Sequence, residues 1–241
     1  MWVILSLVTD RGPNERGEAA RRVLVETAER MYAERGIDGV SLREIGAAAG
    51  QLNTGAARYH FGSKVGLVNA VFEHRMVSIN EHRVRMIDAL VADGATTDLP
   101  RIVEAYVLPM STALGDPGRP TWYLRFAVQA GLLEGAAPQR PADQPWTSGI
   151  DRLSPMALAA ANVPERLRGP RWNMCLGHIT RSLAERERQL ERPPTDWLPR
   201  DLFLATVIDT AVAMLAAPVS PATDRLLHEH TTQHHTTSTT S

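Results

Sequence analysis

The chain has 241 residues, of which 44% are hydrophobic and 22% are charged, a composition that excludes a collagen-like or wholly disordered chain. The formal net charge is −1, from 26 Lys and Arg against 27 Asp and Glu. This balance excludes a uniformly basic nucleic-acid coat, although it permits a local basic patch. Cys175 is the single cysteine, so an internal disulfide and a four-cysteine zinc site are both excluded.

We expect residues 1–15 to form a flexible arm that precedes the folded part of the chain. The apolar run at 1–8 is too short to span a bilayer and lacks the basic flank of a secretory signal peptide. A stretch rich in helix breakers, Thr-Asp-Arg-Gly-Pro-Asn, follows it at 9–14. We therefore expect a cytoplasmic protein without a membrane partner.

The next part of the sequence predicts helices separated by short turns. Apolar residues recur at helical spacing over 18–35, and Gly36 then provides a C-cap. The segment 41–50 opens with Ser-Leu-Arg-Glu, a capping box in which a hydroxyl and a carboxylate satisfy backbone N–H groups reciprocally. A very short helix at 53–60 follows a glycine turn, and Ser63 predicts the N-cap of a long helix.

The remainder of the chain shows helical periodicity too, and strand-like alternation is absent from the sequence. Further helices are predicted at 98–115, 119–134, 152–162, 170–191 and 200–216. A proline-rich loop lies at 135–149, and a Thr/His-rich tail at 223–241 is predicted to be disordered. The predicted fold class is therefore all-α.

Two short helices joined by a glycine turn at 41–60 have the pattern of a helix-turn-helix, whose second helix enters the major groove of DNA. Asn53 carries the donor and acceptor that suit adenine, and Arg58 could fork onto guanine. Alternatives for Arg58 are a phosphate contact and an ion pair with Glu44. Three further residues are of types that contact phosphate oxygens, namely Tyr59, His60 and Lys64. Spacing alone leaves open the alternative that small residues on a capped helix serve only tight helix packing.

Three segments around this motif resemble the N-terminal DNA-binding domain of tetracycline-repressor-type (TetR family) transcriptional regulators. They are TAERMYAERG at 27–36, VSLREIGAAAG at 40–50 and YHFGSK at 59–64, within a resemblance that covers about residues 18–75. The resemblance implies an N-terminal three-helix helix-turn-helix DNA-binding domain followed by a C-terminal helical ligand-binding and dimerisation domain. It also implies a homodimer, usually a repressor that a small ligand releases from its double-stranded DNA operator.

The resemblance further implies domain boundaries and DNA-binding residues. We expect the DNA-binding domain at 16–65 and the effector-binding and dimerisation domain at 66–222. Arg43 occupies a position from which a side chain often reaches phosphate, whereas Arg58 replaces the tyrosine of many family members. The segment 50–61 is one residue longer than in most members. The predicted DNA-binding set is Ser41, Arg43, Asn53, Thr54, Gly55, Arg58, Tyr59, His60 and Lys64.

Aromatic and sulfur-containing side chains concentrate at 98–180, where we expect a pocket for a mainly apolar effector between helices. The predicted lining is Tyr106, Met110, Trp122, Tyr123, Phe126, Met156, Trp172, Cys175 and His178. The alternative for each of these residues is a place in the plain hydrophobic core.

The last two predicted helices carry apolar stripes, and the resemblance assigns them to the dimer interface. The segment 200–216 is apolar nearly all round, which predicts neighbours on more than one side. The predicted interface residues are Leu176, Ile179, Leu183, Phe203, Ile208, Val212 and Leu215. The alternative is a helix that is buried within its own subunit.

An enzyme, a metal site and a cofactor are not expected. Cys175 and His178 lie three residues apart on one helix, but the sequence signals no orienting group or oxyanion site for them. The polar tail offers a metal ion no fixed geometry for its four histidines, His228, His230, His234 and His235. The predicted function is a sequence-specific, ligand-responsive regulator of transcription. The alternative is a helical adaptor that keeps the helix-turn-helix shape and acts through protein contacts.

Overall fold

The computed structural model describes residues 13–53, 55–119, 121–131, 145–192 and 197–237. Within these ranges the regular elements are ten α-helices and one 3-10 turn, Pro145–Thr147, so the prediction of an all-α fold is confirmed. The helices are α1 (Pro13–Arg35), α2 (Leu42–Ala48), α3 (Ala56–Phe61), α4 (Lys64–Ala92), α5 (Leu99–Ser111), α6 (Tyr123–Gly131), α7 (Ser148–Ala160), α8 (Glu165–Gln189), α9 (Arg200–Ala216) and α10 (Pro221–Thr237).

The first three helices pack together with the beginning of α4. One side chain from each illustrates this core, since Leu24, Ile45, Ala57 and Leu67 are all fully buried. Helices as short as α2 and α3, with seven and six residues, are not stable in isolation. Packing on α1 and α4 therefore holds the short pair in place.

The long helix α4 joins this N-terminal core to a second group of helices. It packs on α1 and α3 and also on α5 and α7, and it contributes the fully buried Val71 and Ile87 to the core. Arg75 of α4 also pairs with the buried Glu29 of α1, donating from Nε and Nη2 to the carboxylate at 2.8 and 2.9 Å. The buried residues of both groups form one continuous core.

Glu187 of α8 closes the N-terminus of α6. Its carboxylate accepts hydrogen bonds from the backbone N–H groups of Leu124 and Arg125 at 3.1 and 3.0 Å. The Thr121 hydroxyl and Arg125 Nε donate to the same carboxylate, each at 3.1 Å. Because the first N–H groups of a helix lack helical partners, this buried carboxylate substitutes for a local N-cap. Burial raises the pKa of Glu187, against the opposing effect of these bonds.

Some helix boundaries differ from those that the sequence predicts. α1 begins at Pro13, inside the expected arm, because proline is favoured in the first turn of a helix. α8 begins at Glu165, and Pro170 lies in its second turn, where its missing N–H costs one backbone hydrogen bond. α6 covers Tyr123–Gly131 of the expected 119–134. Residues 1–12 and 132–144, which hold most of the arm and of the proline-rich loop, lie outside the described residues.

The C-terminal segment also differs from the expected disorder at 223–241. Helix α10 covers Pro221–Thr237, and its start is capped because the Thr223 N–H donates to Ser220 Oγ at 3.2 Å. Residues 238–241 lie outside the described ranges. None of the helices in the described part of the chain is by itself long and apolar enough to cross a membrane. The pair Arg200–Ala216 and Pro221–Glu229 meets that test only when joined across a bend of 48°.

Candidate nucleic-acid interface

Helix α2 begins with the predicted capping box. Ser41 Oγ accepts a hydrogen bond from the Glu44 N–H at 3.2 Å, and the Glu44 carboxylate accepts from the Ser41 N–H at 2.8 Å. Arg35 of α1 adds an ion pair to the same carboxylate at 2.7 Å. The bonds from Arg35 and Ser41 lower the pKa of Glu44 to about 2, so the carboxylate is charged at neutral pH. The start of α2 is thereby attached to the end of α1.

The turn between α2 and α3 depends on Gly50. The N–H groups of Gly50 and Gln51 donate to the carbonyls of Ala47 and Gly46, each at 3.1 Å, which is the paired bonding of a Schellman motif. Gly50 has φ +67°, a left-handed conformation in which an L side chain is strained. The turn ends α2 and directs the chain into α3 within a few residues.

Helix α3 is anchored by Ala57, which is fully buried, and presents its other face to solvent. Arg58 is exposed, Tyr59 is 86% exposed, and His60 is half-buried with its ring 5.2 Å from the Tyr59 ring. The Arg58 guanidinium forms no hydrogen bond or ion pair with any described residue. This short helix therefore presents to solvent a cation that has no partner among the described residues, Arg58, and the exposed ring of Tyr59.

The entry to α3 is set by Asn53. Its Oδ1 accepts a hydrogen bond from the Gly55 N–H at 2.9 Å, and both residues are exposed. This local bond fixes the amide group of Asn53 next to the first turn of α3, with the Nδ2 donors directed away from the bonded oxygen. Thr54, which the sequence also assigns to this surface, lies outside the described residues.

The structure decides one of the alternatives for Arg58. Glu44 forms its ion pair with Arg35 and its capping bonds with Ser41, and Arg58 is not among its partners. The alternative of an ion pair between Arg58 and Glu44 is therefore wrong, because the carboxylate is engaged at the junction of α1 and α2. Arg43, one residue earlier, is exposed on the first turn of α2. Base and phosphate contacts remain for Arg58.

Lys64 has an internal contact that the sequence does not reveal. Its Nζ donates to the carbonyls of Ile37 and Asp38 at 3.0 and 3.5 Å, in the loop between α1 and α2. At the same place α4 approaches the end of α3 closely, since a Cβ on Gly66 would lie 2.1 Å from the Phe61 carbonyl oxygen. Lys64 therefore holds two parts of the motif together, and its contact with phosphate stays a prediction.

Sequence reasoning missed Leu52. This residue lies in the turn directly before Asn53, and its relative exposure of 106% is that of a fully solvated side chain. An exposed apolar side chain here, next to the entry to α3, is available for contact with a partner outside the chain. The available signal was a lone leucine in a turn otherwise made of small and polar residues.

The residues predicted to line an effector pocket divide between two places. Tyr123 and Phe126 of α6 are fully buried, and the Phe126 ring lies 6.1 Å from that of Tyr32 in α1. Tyr106 of α5 and Trp172 of α8 meet edge to face at 6.1 Å. Met110 and Cys175 are buried, and three others are half-buried, namely Trp122, Met156 and His178. Four cavities among the described residues are lined by other side chains.

Cys175 and His178 do not meet as a reactive pair. The Cys175 thiol faces the Ala211 carbonyl at 3.7 Å, and His178 Nε2 lies 3.0 Å from Thr210 Oγ1, so both side chains contact α9. Burial raises the pKa of Cys175 to about 12, and a thiol that keeps its proton is a poor nucleophile. Among the described residues, no group of three His, Cys, Asp or Glu side chains could hold a metal ion.

The residues predicted for a dimer interface fall into two groups. Ile179, Leu183 and Leu215 are fully buried within the chain itself, so for these three the alternative of burial in their own subunit holds. The other four are half-buried, namely Leu176, Phe203, Ile208 and Val212. The same two helices also carry two exposed apolar residues outside the predicted set, Met174 of α8 (64% exposed) and Leu202 of α9 (51% exposed).

A capped helix, a tight glycine turn and a short exposed helix on an all-helical body define a helix-turn-helix DNA-binding protein. Residues 24–71 match the family described as bacterial regulatory proteins, tetR family. The chain is 32% identical over 139 residues to the HTH-type transcriptional regulator Mb3439c of Mycobacterium bovis, a match that covers 56% of this chain and 69% of that protein. The identity and coverage are the same for the HTH-type transcriptional repressor Rv3405c of Mycobacterium tuberculosis. The chain belongs to the TetR family of transcriptional regulators.

Proposed function

We propose that this protein is a sequence-specific repressor that binds its operator as a homodimer and leaves it when a small, mainly apolar effector binds. The observation that carries DNA recognition is the outer face of α3, where the exposed Arg58 guanidinium has no partner in the described chain. A guanidinium is suited to guanine O6 and N7 in the major groove, and the Asn53 amide is suited to adenine. The similarity to a relative named as a repressor supports the direction of regulation.

Phosphate contacts would position α3 in the groove. We assign this role to the exposed Arg43 at the start of α2 and the exposed Tyr59 of α3, since neither forms an ion pair with a described residue. Such contacts fix register and orientation but carry no sequence information. Recognition would take place in the cytoplasm, where bacterial DNA is accessible to a regulator.

A homodimer is supported by the surface that α8 and α9 leave uncovered. Met174 of α8 and Leu202 of α9 expose apolar side chains, and Ile208 and Val212 of α9 are half-buried. A partner copy that covered this surface would remove apolar area from water, which favours association. Two copies would then present two α3 helices to the two halves of a palindromic operator.

The effector would bind between α5, α7 and α8. Tyr106 and Trp172 meet there, and Met156 is half-buried nearby in α7. The Arg83 guanidinium lies 5.0 Å from the Tyr106 ring centroid, so the region also contains a polar group that could orient a ligand. An effector can release the operator only if it binds the DNA-incompetent form more tightly than the other.

The test is a gel-shift titration of the full chain with the DNA that flanks its own gene. The proposal expects binding that survives excess nonspecific competitor and weakens with salt, because phosphate contacts release counterions. Binding that competitor DNA abolishes, or no binding at any salt concentration, would instead favour the helical adaptor and contradict the proposal. When the same titration is run with Arg58→Ala, the matched control is Arg225→Ala, which removes an exposed arginine from α10, outside the α2–α3 unit.

A further inference from the structure

A cleft of about 290 Å³ lies between the α5–α6 loop and the α8–α9 connection. Its walls are mostly apolar and are formed by Leu114, Pro117, Leu190, Trp197, Leu198 and Pro199. Two guanidinium groups, those of Arg186 and Arg200, also line it, and Asp116 is exposed in the same lining. The volume is at the small end of ligand sites in proteins, which suits a compact molecule.

Arg186 is held rigidly beside this cleft. The residue is only 7% exposed, and its guanidinium carbon lies 5.3 Å from the Trp197 ring centroid and 5.4 Å from that of Phe203. Nη2 donates to the Leu198 carbonyl at 2.7 Å. Because a guanidinium carries five N–H donors, the aromatic contacts and this one bond leave donors at its edge for a ligand in the cleft.

Neither cation of this cleft is paired with a carboxylate of the described residues. Arg200 donates to the Ser111 carbonyl at 2.7 Å, and neither Arg186 nor Arg200 forms an ion pair within the described residues. Burial and, after it, the like charge of Arg200 lower the pKa of Arg186. Burying one cation beside another is unfavourable, and a bound anion would relieve that cost.

We propose that this cleft binds a small organic carboxylate with an aromatic or apolar body. The carboxylate would accept hydrogen bonds from the two guanidiniums, whose planar geometry matches it. The body would pack against Trp197 and the surrounding Leu and Pro side chains. The cleft is separate from the effector region at Tyr106 and Trp172, and its binding requires no DNA, so the proposal stands or falls independently of the proposed function.

The proposal is tested by titrating the full chain with benzoate. Binding is followed in two-dimensional NMR through the indole N–H resonances of the five tryptophans. Trp197→Phe identifies the Trp197 resonance. We expect benzoate to shift that resonance until the change saturates, with a dissociation constant on the order of 1 mM or lower. Benzamide and acetate should each bind about tenfold more weakly or worse, because the first lacks the charge and the second lacks the body.

Two substitutions assign the binding to the guanidiniums. Arg186→Met and Arg200→Gln should each weaken benzoate by about tenfold or more, whereas Arg181→Gln on the exposed face of α8 should leave it unchanged. Since Arg200 is exposed, Arg200→Gln keeps the test valid if Arg186→Met does not fold. The proposal is overturned if benzamide or acetate binds as well as benzoate. It is also overturned if both variants bind benzoate like the wild type, or if the Trp197 resonance does not respond.

Discussion

The Tyr32 hydroxyl is buried in the N-terminal core and has no hydrogen-bond partner among the described residues. A buried hydroxyl that has lost water without gaining a partner destabilises the folded state. Tyr32→Phe keeps the ring that packs on Phe126 and removes only this oxygen. We expect the free energy of unfolding to stay the same or rise by about 1 kcal/mol, measured by urea denaturation.

Tyr59→Phe is the matched control for Tyr32→Phe. Tyr59 is highly exposed, so the loss of its hydroxyl should change stability by less than about 0.5 kcal/mol. A loss of more than about 1 kcal/mol in Tyr32→Phe would mean that the hydroxyl has a partner in the folded protein, which contradicts the packing described for α1.

Lys64 gives a second prediction at the scale of one residue. Because its ammonium bonds to the carbonyls of Ile37 and Asp38, Lys64→Met should lower the free energy of unfolding by about 1–3 kcal/mol. Arg43→Met, which removes an exposed cation, should change stability by less than about 0.5 kcal/mol. Unchanged stability in Lys64→Met, together with a salt slope of DNA binding reduced by about one ion, would show that Lys64 serves phosphate instead.

These residues also show which contacts a sequence can predict. The bonds of Ser41 and Glu44, and the glycine turn at Gly50, join residues within a few positions of each other, so the local sequence predicts them correctly. The Lys64 contact spans 26 and 27 positions, and the pairing of Glu44 with Arg35 depends on the angle between two helices. Such contacts depend on tertiary packing, which periodicity alone does not specify.

At the scale of elements, the attachment of α6 to α8 depends on Glu187. Glu187→Gln removes the buried negative charge that faces Arg125, whose side chain is itself only 15% exposed. It also replaces one of the two accepting carboxylate oxygens by an NH₂ group, which can only donate. We expect the free energy of unfolding to fall by about 3 kcal/mol, because the substitution removes the buried one of Arg125's two carboxylate partners and weakens the bonds that cap α6. Urea denaturation followed by circular dichroism measures this change.

The other carboxylate that pairs with Arg125 provides the control. Glu191 lies near the end of α8 and is partly exposed, so Glu191→Gln should cost less than about 1 kcal/mol. Equal effects of the two substitutions would contradict the assignment of Glu187 as the group that closes the N-terminus of α6.

Most helices could be predicted from periodicity, but their ends could not. The start of α8 precedes Pro170 because the lost backbone bond is outweighed by the packing of the whole helix, which the local sequence does not report. The composition of 223–241 predicts disorder, whereas Ser220 caps α10 and Leu227 is half-buried. The carboxylate of Glu187 lies more than sixty positions from the helix that it caps, so no local pattern contains this bond.

At the scale of the whole molecule, the homodimer is the prediction that substitution tests best. Met174 is largely exposed in the single chain, so Met174→Glu should leave the subunit folded. In a dimer that covers this surface the new carboxylate would be desolvated at a cost of several kcal/mol, so the variant should be monomeric. Light scattering across a concentration series measures the association.

Leu226→Glu is the control for the dimer, since Leu226 is similarly exposed but belongs to α10. It should associate like the wild type. A wild-type chain that is monomeric at micromolar concentration, or a Met174→Glu variant that dimerises normally, would contradict the proposed interface. The sequence predicts apolar stripes on α8 and α9, but it does not separate side chains such as Leu183 that face the chain's own core from those that face outward.

The affinity of the wild type and of Arg58→Ala for a set of operators, each with one base pair changed, tests the account of DNA recognition most directly. The account predicts that Arg58→Ala loses discrimination at one base pair of each half-site by about 1–3 kcal/mol, and that it keeps the wild-type preferences elsewhere. Arg225→Ala should keep every preference, since Arg225 lies on α10. If Arg58→Ala instead weakens every operator by the same factor, Arg58 contacts phosphate, and its proposed role in reading the operator is wrong.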